Sequence, residues 1–277
     1  MTESTIGEFQ SIHGTRMSVA KMKKGHWRKL SKNRRLVLDV CALSRRMPLF
    51  PAERTIDLTA VAEARGASSQ RISWAAIFTK AFALTAAQQP QLRQTYYRLP
   101  WPHLYEHNHS VASIAMHRFD GDEDRLCWAR IRRVEELSLA DLQSRLDDFK
   151  SQPIDVAFKS QLRMSRLPMP IRRLMWGLAL NLSGRSRAKS VGTFSMSSVA
   201  GLGAYNRFHP TMLTSSLSYG PIDDDGRCLV TLICDHRVID GYRAAICLQQ
   251  IESILQGPIV DELDQTLPSH TAAARAA

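Results

Sequence analysis

The sequence lacks an apolar run long enough to cross a membrane. A membrane-spanning helix needs ~18 or more consecutive apolar residues, and no stretch of the 277 residues approaches that length. The first 20 residues also lack the apolar core of a signal peptide. We therefore expect a cytoplasmic protein, with a peripheral location at a membrane surface as the alternative.

Disulfide and metal-binding motifs are lacking as well. The five cysteines are an odd number, and no two of them have the C-x-x-C spacing, so neither a disulfide framework nor a zinc knuckle is indicated. His103, His107 and His109 stand close together, but their spacing matches no zinc motif. We expect reduced, mostly buried thiols, surface histidines and no bound metal.

Acidic residues are missing from two segments of the chain. Residues 21–35 contain eight lysines and arginines, residues 163–189 contain seven, and neither segment contains an acid. The formal net charge of +11 favours an anionic partner, although solvated basic faces are the alternative. Trp27 is the one aromatic residue of the first segment, and no recognition motif accompanies it, so we do not expect nucleic-acid binding.

The composition predicts one domain with two loosely attached ends. The chain contains no internal repeat and no linker rich in glycine, proline or serine. We predict a basic, loosely ordered segment over 1–35, a single domain over 36–262 and a flexible tail over 263–277.

Hydrophobic periodicity predicts alternating helices and strands within that domain. Helices are predicted where apolar residues recur at helical spacing behind a capping residue, over 58–65, 72–89, 138–150 and 240–255. Strands are predicted over alternating or short apolar runs, at 36–43, 111–117, 193–197, 213–219 and 229–234. The pair Gly257-Pro258 is expected to end the last helix. Strands near the C-terminus with interspersed helices predict an α/β layered domain.

One junction of strand and helix carries side chains suited to catalysis. The predicted strand Leu229–Cys234 leads into Asp235–Gly241, which places His236 at a strand end and Asp240 at the start of a helix. Imidazole titrates near neutral pH, so a catalytic base is expected at such a position. The alternative is a solvated loop histidine beside an ordinary helix-capping aspartate.

Two motifs resemble one enzyme family. The run Asp235–Gly241 resembles the D-H-R-x-x-D-G signature of the dihydrolipoyl acyltransferases of 2-oxoacid dehydrogenases, whose catalytic domain shares its fold with chloramphenicol acetyltransferase. Upstream, Gly192–Ser197 resembles the family's G-T-F-T-I-S strand, and weaker similarity extends the match to about residues 35–260. The resemblance implies a two-layer sandwich of mixed β-sheet and helices.

The resemblance also implies roles for three residues. In that family the histidine at the position of His236 takes the proton from the attacking group, and the serine at the position of Ser197 stabilises the tetrahedral oxyanion. The aspartate at the position of Asp240 orders the catalytic loop by pairing with an arginine, which this sequence does not identify. Family members form homotrimers with active sites between subunits, so His236 is expected to face Ser197 of a neighbour. The polar residues 260–264 argue against a larger cubic assembly.

The departures from the family bear on the substrate. No lipoyl or subunit-binding domain precedes the matching region within these residues, so we do not expect a lipoate-bound donor. The resemblance then implies an acyl thioester of coenzyme A or of an acidic acyl carrier protein as co-substrate, a hydroxyl or amine acceptor, and no tightly bound cofactor. The alternative is a non-catalytic assembly or binding module that keeps the fold.

Residues 151–191 form an insert relative to the family. They include the largely apolar run Leu167–Leu182, flanked by Arg163, Arg166, Arg172 and Arg173. Such a run is typical of a helix that binds an acyl chain or lies on an anionic membrane or carrier-protein surface. A helix packed in a subunit interface has the same pattern. For a helix on an anionic surface, we expect the four arginines to contact that surface.

Overall fold

A six-stranded mixed sheet organises the part of the chain that the computed structural model describes, residues 25–121 and 123–265. The strand order is β1-β8-β7-β6-β4-β5, and β6 runs parallel to both of its neighbours. A separate pair, β2 and β3, is antiparallel. The strands are β1 (Leu49–Asp57), β2 (Gln94–Tyr97), β3 (His103–Glu106), β4 (Val111–Asp120), β5 (Glu123–Arg132), β6 (Phe194–Met196), β7 (Ser215–Ile222) and β8 (Arg227–Asp235).

The sheet has an apolar core face and a more polar outer face. Alternate residues of a strand point to opposite faces, so Ile114, Phe194 and Leu217 are buried in the core, whereas Ser113 and Ser195 belong to the outer face. The predicted strands at 111–117, 193–197, 213–219 and 229–234 are confirmed. The alternation therefore decides which residues are available to a ligand on the outer side.

Helices cover both faces of the sheet. Those packed into the main core include α2 (Thr59–Ala67), α3 (Trp74–Gln88), α4 (Leu139–Ser151), α9 (Gly241–Ile254) and α10 (Val260–Asp264). The outer side carries α1 (Lys32–Ser44) and three helices of the insert, α6 (Lys159–Arg166), α7 (Met169–Asn181) and α8 (Gly184–Val191). The short insert helix α5 (Ile154–Ala157) packs into the main core through Ile154. The predicted sandwich of a mixed sheet and helices is confirmed, with α1 and most of the insert added on the outer side.

Two helix starts form as their sequences predict. The hydroxyl of Ser73 accepts a hydrogen bond from the backbone N–H of Ala76 at 3.3 Å, and that of Ser138 accepts one from the N–H of Asp141 at 3.0 Å. Each hydroxyl satisfies an amide that has no partner within the first turn of its helix.

Two predictions about secondary structure are wrong. Residues 36–43 are helical within α1, which begins after Ser31 caps Arg34. Their short apolar run fits a strand and a helix equally well, and the spacing of buried Leu36 and Asp39 is the helical one. The pair Gly257-Pro258 does not end the last helix, because a π-helical turn over Leu255–Ile259 carries the chain into α10.

Several expectations concern residues at the ends of the chain. Most of the predicted basic segment and of the predicted tail lie outside the described residues, and α1 begins at Lys32.

No helix within the described ranges is long and apolar enough to cross a membrane. All five cysteines are free thiols, four of them buried and Cys41 half-buried, which confirms the expectation for them.

A buried ion pair joins α1 to α7. The guanidinium of Arg172 donates to both carboxylate oxygens of Asp39, through Nε and, at 3.1 Å, through Nη2. The indole N–H of Trp176 donates to the same carboxylate at 3.1 Å. Arg172 is only 4% exposed, so the expectation that it meets an anionic surface is wrong: its charge is already neutralised inside the protein.

This pair predicts a large stability difference between two arginine substitutions. Arg172→Met leaves the buried Asp39 carboxylate without its counter-charge, which typically costs about 3–5 kcal/mol of unfolding free energy. Arg54→Met removes a more exposed ion pair with Glu252 and should cost no more than about 1 kcal/mol. Urea unfolding of both variants measures the difference. Equal losses would contradict a stabilising role for the buried pair, and adding Asp39→Leu to Arg172→Met should recover stability.

Candidate active site

His236 stands where β8 ends and is open to solvent. The backbone N–H of His236 donates to the carbonyl of Pro48 at 3.0 Å, and its imidazole packs against the Phe50 ring with centroids 4.7 Å apart. Its side chain is 55% exposed. The main chain and one ring face are therefore held in place while the rest of the imidazole remains accessible to a substrate.

Asp240 lies beside His236 and does not cap α9. Its carboxylate Oδ1 is 3.3 Å from Nδ1 of His236, and its side chain is 83% exposed. It occupies the position before Gly241 but accepts no hydrogen bond from the first turn of the helix, so the expected capping contact is absent. An acceptor at Nδ1 favours the tautomer with its proton on that nitrogen, which leaves the Nε2 lone pair free.

The arginine pair that orders this loop belongs to another aspartate. Arg237 donates to both carboxylate oxygens of the buried Asp235, at 2.9 Å from Nε and 2.6 Å from Nη2. The Arg237 guanidinium also lies 4.6 Å from the centroid of the Tyr96 ring. Among the described residues the ion-pair partner of Asp240 is His236 and not an arginine. Within one chain this loop therefore contains an arginine pair at Asp235, and the loop-ordering role that the resemblance gives to Asp240 stays a prediction.

Ser197 directly follows β6 on the outer side of the sheet. Its N–H donates to the carbonyl of Leu217 at 3.1 Å, which continues the pairing with β7. Its hydroxyl oxygen accepts a hydrogen bond from the side-chain amide of Asn206 at 3.1 Å. Because Asn206 occupies an acceptor position of that oxygen, the hydroxyl proton remains available to another acceptor.

Asn206 is a site residue that the sequence analysis missed. It belongs to the loop between β6 and β7, outside both motifs, and nothing in its sequence context marks it. A signal was available in the spacing, since a loop that connects two adjacent parallel strands must return over the sheet. On this path part of the loop, including Asn206, passes close to the end of β6, where Ser197 lies.

Ser197 and His236 are far apart within one chain. Met196 lies opposite Leu217, and Leu217 lies opposite Leu232, so Ser197 is level with the residues before Leu232. His236 lies four residues after Leu232, on the opposite side of Leu232 from Ser197. Because a strand rises ~3.3 Å per residue, Ser197 and His236 are more than ~13 Å apart along the strands. The intervening strand widens the gap further. The two side chains cannot act on the same bond within one chain.

The three clustered histidines have separate partners, and the expectation that they lie at the surface is wrong for His107, which is buried. His103 Nδ1 contacts the carbonyl of Trp101, His107 Nε2 contacts the Thr95 hydroxyl, and His109 lies beside Glu135 and Glu136. Across residues 25–121 and 123–265, no group of three or more histidine, cysteine or acidic side chains is arranged to hold a metal ion.

A cavity of about 730 Å³ lies between the outer face of the sheet and helices α1, α6, α7 and α8. Ser197 lines it, as do Ser195 and His209, which are joined through Ser216 in a hydrogen-bonded chain of polar groups. In that chain His209 Nε2 is 2.7 Å from the Ser216 hydroxyl, which is 2.7 Å from the Ser195 hydroxyl. Burial lowers the pKa of His209 to about 4, so this histidine is neutral at pH 7.

Known structures share this fold. A probable dihydrolipoamide acetyltransferase from Listeria monocytogenes matches 90% of this chain and 98% of its own, with a TM-score of 0.59 and 18% identity. The cubic core of the pyruvate dehydrogenase multienzyme complex matches over 91% and 98%, with a TM-score of 0.61 and 18% identity.

A third similar structure is a dihydrolipoamide acetyltransferase from Azotobacter vinelandii, studied for the role of a serine, a histidine and an asparagine in its catalytic mechanism. It covers 84% of this chain and 93% of its own, with a TM-score of 0.58 and 18% identity. No protein-family model and no curated protein matches the sequence. The chain has the fold of the dihydrolipoamide acetyltransferase catalytic core.

Proposed function

We propose that the protein is an acyltransferase that moves an acyl group from a thioester to a hydroxyl or an amine. The observation that carries this proposal is the placement of His236, which is half-exposed at a strand end with Nδ1 3.3 Å from the Asp240 carboxylate. The similar fold of acetyltransferase cores supports it. A binding module with no chemistry would not need an accessible imidazole oriented by a carboxylate.

The proposed reaction proceeds through a tetrahedral intermediate. Nε2 of His236 takes the proton of the acceptor O–H or N–H as that atom bonds to the thioester carbonyl carbon. The carbonyl oxygen becomes an oxyanion, and the Ser197 hydroxyl, whose oxygen is held by Asn206, donates a hydrogen bond to it. The C–S bond then breaks, and the departing sulfur receives the proton from His236. Ser197 remains unacylated throughout.

The separation of the two side chains supports a shared active site. We propose a homotrimer of three 31.2 kDa chains, in which His236 of one subunit and Ser197 of the next act on one substrate. The thioester donor is acyl-coenzyme A or an acyl carrier protein. The net charge of +11 suits the phosphates of the first and the acidic surface of the second.

Loss of the imidazole should abolish transfer without unfolding the protein. His236→Ala should lower the rate ~10²-fold or more, because it removes the general base. His117 is a matched control, since it is also half-exposed and paired with a carboxylate, that of Asp124. Thioester consumption and thermal unfolding are measured for both variants. A His236→Ala enzyme with half the original rate would exclude this mechanism.

A shared site predicts complementation between two inactive variants. Ser197→Ala should lose ~10²-fold in kcat, because one oxyanion donor is worth that much. When Ser197→Ala and His236→Ala chains assemble together at equal amounts, about one interface in four brings an intact serine to an intact histidine. Activity should return to about that fraction of wild type. Light scattering should report trimers, and inactive mixed trimers would rule out the shared site.

Asp240 should matter for rate more than for stability. Asp240→Ala removes the group beside Nδ1 of His236 and should lower kcat roughly tenfold or more. Because Asp240 makes no capping contact, the melting temperature should stay close to that of the wild type. Ser138→Ala is the comparison, since it removes a genuine cap worth ~1 kcal/mol. A melting temperature lowered as far as in Ser138→Ala would show that Asp240 has a structural role instead.

A further inference from the structure

We propose that the cavity behind Ser197 holds a medium-length apolar acyl chain, so that the insert 151–191 determines the chain length of the substrate. This inference rests on the proposed function for the identity of the reacting thioester. Its evidence is the lining of the cavity, the place of Ser197 in it and the distribution of charge around it.

The cavity walls are apolar and come mainly from α1 and the insert. Each of the two helices α6 and α7 contributes a flexible thioether to the wall, and α1 contributes branched aliphatic side chains; the apolar wall includes Leu36, Val40, Met164, Met175, Trp176 and Ala179. Trp128 of β5 and Ala115 of β4 form part of the floor. Methionine side chains adapt to flexible apolar ligands. Cavities of about 300–1,000 Å³ are the usual size for small-molecule sites, and a volume of about 730 Å³ lies within that range.

Ser197 lies both at this cavity and at the proposed position of the reacting carbonyl group. It lines the cavity, and in the proposed reaction its hydroxyl meets the carbonyl oxygen of the acyl group. A carbonyl held there has its acyl chain at the cavity entrance, and an apolar chain gains free energy by entering the apolar space. The polar part of the floor opposes this little, because Ser195 and His209 both hydrogen-bond to Ser216 and His209 is neutral, which leaves only its Nδ1 without a partner among the described residues.

The charges around the cavity favour a ligand with an anionic group. Its lining includes Arg130, Arg163 and Lys189 and no aspartate or glutamate. Arg130 donates to the Ser190 carbonyl and the Ser160 hydroxyl, and burial lowers its pKa. In contrast to Arg172, it has no carboxylate partner among the described residues.

Binding of S-alkyl thioethers tests the cavity without requiring turnover. Calorimetry on the wild-type protein would compare S-ethyl- with S-octyl-coenzyme A, neither of which can transfer an acyl group. Each methylene that leaves water raises affinity about fourfold. The octyl compound has six more methylenes than the ethyl compound and should bind at least about 100-fold more tightly, which corresponds to burial of about half of them. A carrier protein bearing S-octyl-phosphopantetheine is the second arm and distinguishes the two donors.

Two variants of α7 locate the chain. Ala179→Phe places a ring in the cavity and should reduce octyl affinity at least about tenfold, with ethyl affinity unchanged. Leu178→Phe places the same ring on the exposed side of the helix and should leave both affinities unchanged. Ala115→Leu fills the cavity from the sheet side and should act like Ala179→Phe, which guards against a folding defect in α7.

The outcomes separate this inference from the proposed function. The acyl-chain site would be overturned if the ethyl and octyl compounds bound with equal affinity. It would also be overturned if octyl binding were unchanged in both Ala179→Phe and Ala115→Leu. Either result would hold even for an enzyme active on acetyl thioesters. Chain-length-dependent binding by a protein that transfers no acyl group would leave the site standing and refute the proposed function.

Discussion

The ion pair of Asp39 with Arg172 is the contact on which the outer layer of the protein depends. Of the insert helices, α7 and α8 contribute no buried residue to the main core as described, so their position relies on polar contacts and a small apolar cluster that includes Leu180 and Met212. A charge pair out of contact with water tolerates little displacement, because either ion left alone would be strongly destabilised. The pair therefore fixes the distance between α1 and α7, and with it the width of the cavity between them.

The outer face of the sheet shows how polar residues can line an apolar cavity. Ser195, Ser216 and His209 would each be costly to bury alone. Joined in one hydrogen-bonded chain, they satisfy one another except at Nδ1 of His209, and burial keeps the histidine uncharged. His236, open to solvent beside Asp240, has the opposite environment. The two histidines illustrate how burial and access give identical side chains different properties, so that only His236 has the accessible imidazole that the proposed reaction requires.

Local patterns predicted most of the core and part of the site. The helices beginning at Trp74 and Leu139 follow from periodicity and a serine cap, and His236 was found because its motif is continuous in sequence. Residues 36–43 were misassigned because a short apolar run does not distinguish helix from strand. The contact of Asp39 with Arg172 joins residues 133 positions apart, and no local rule pairs one aspartate with one arginine among many. Asn206 was missed for a similar reason, since only the loop path brings it to Ser197.

The distance between Ser197 and His236 has a consequence for behaviour in solution. A catalytic centre assembled from two chains exists only while the chains associate, so its turnover per subunit falls on dilution below the dissociation constant of the assembly. The cavity, by contrast, is built within one chain and is independent of association. With the proposed shared site, dilution would convert the protein from a catalyst into a monomer that keeps the cavity, so its concentration would control its turnover.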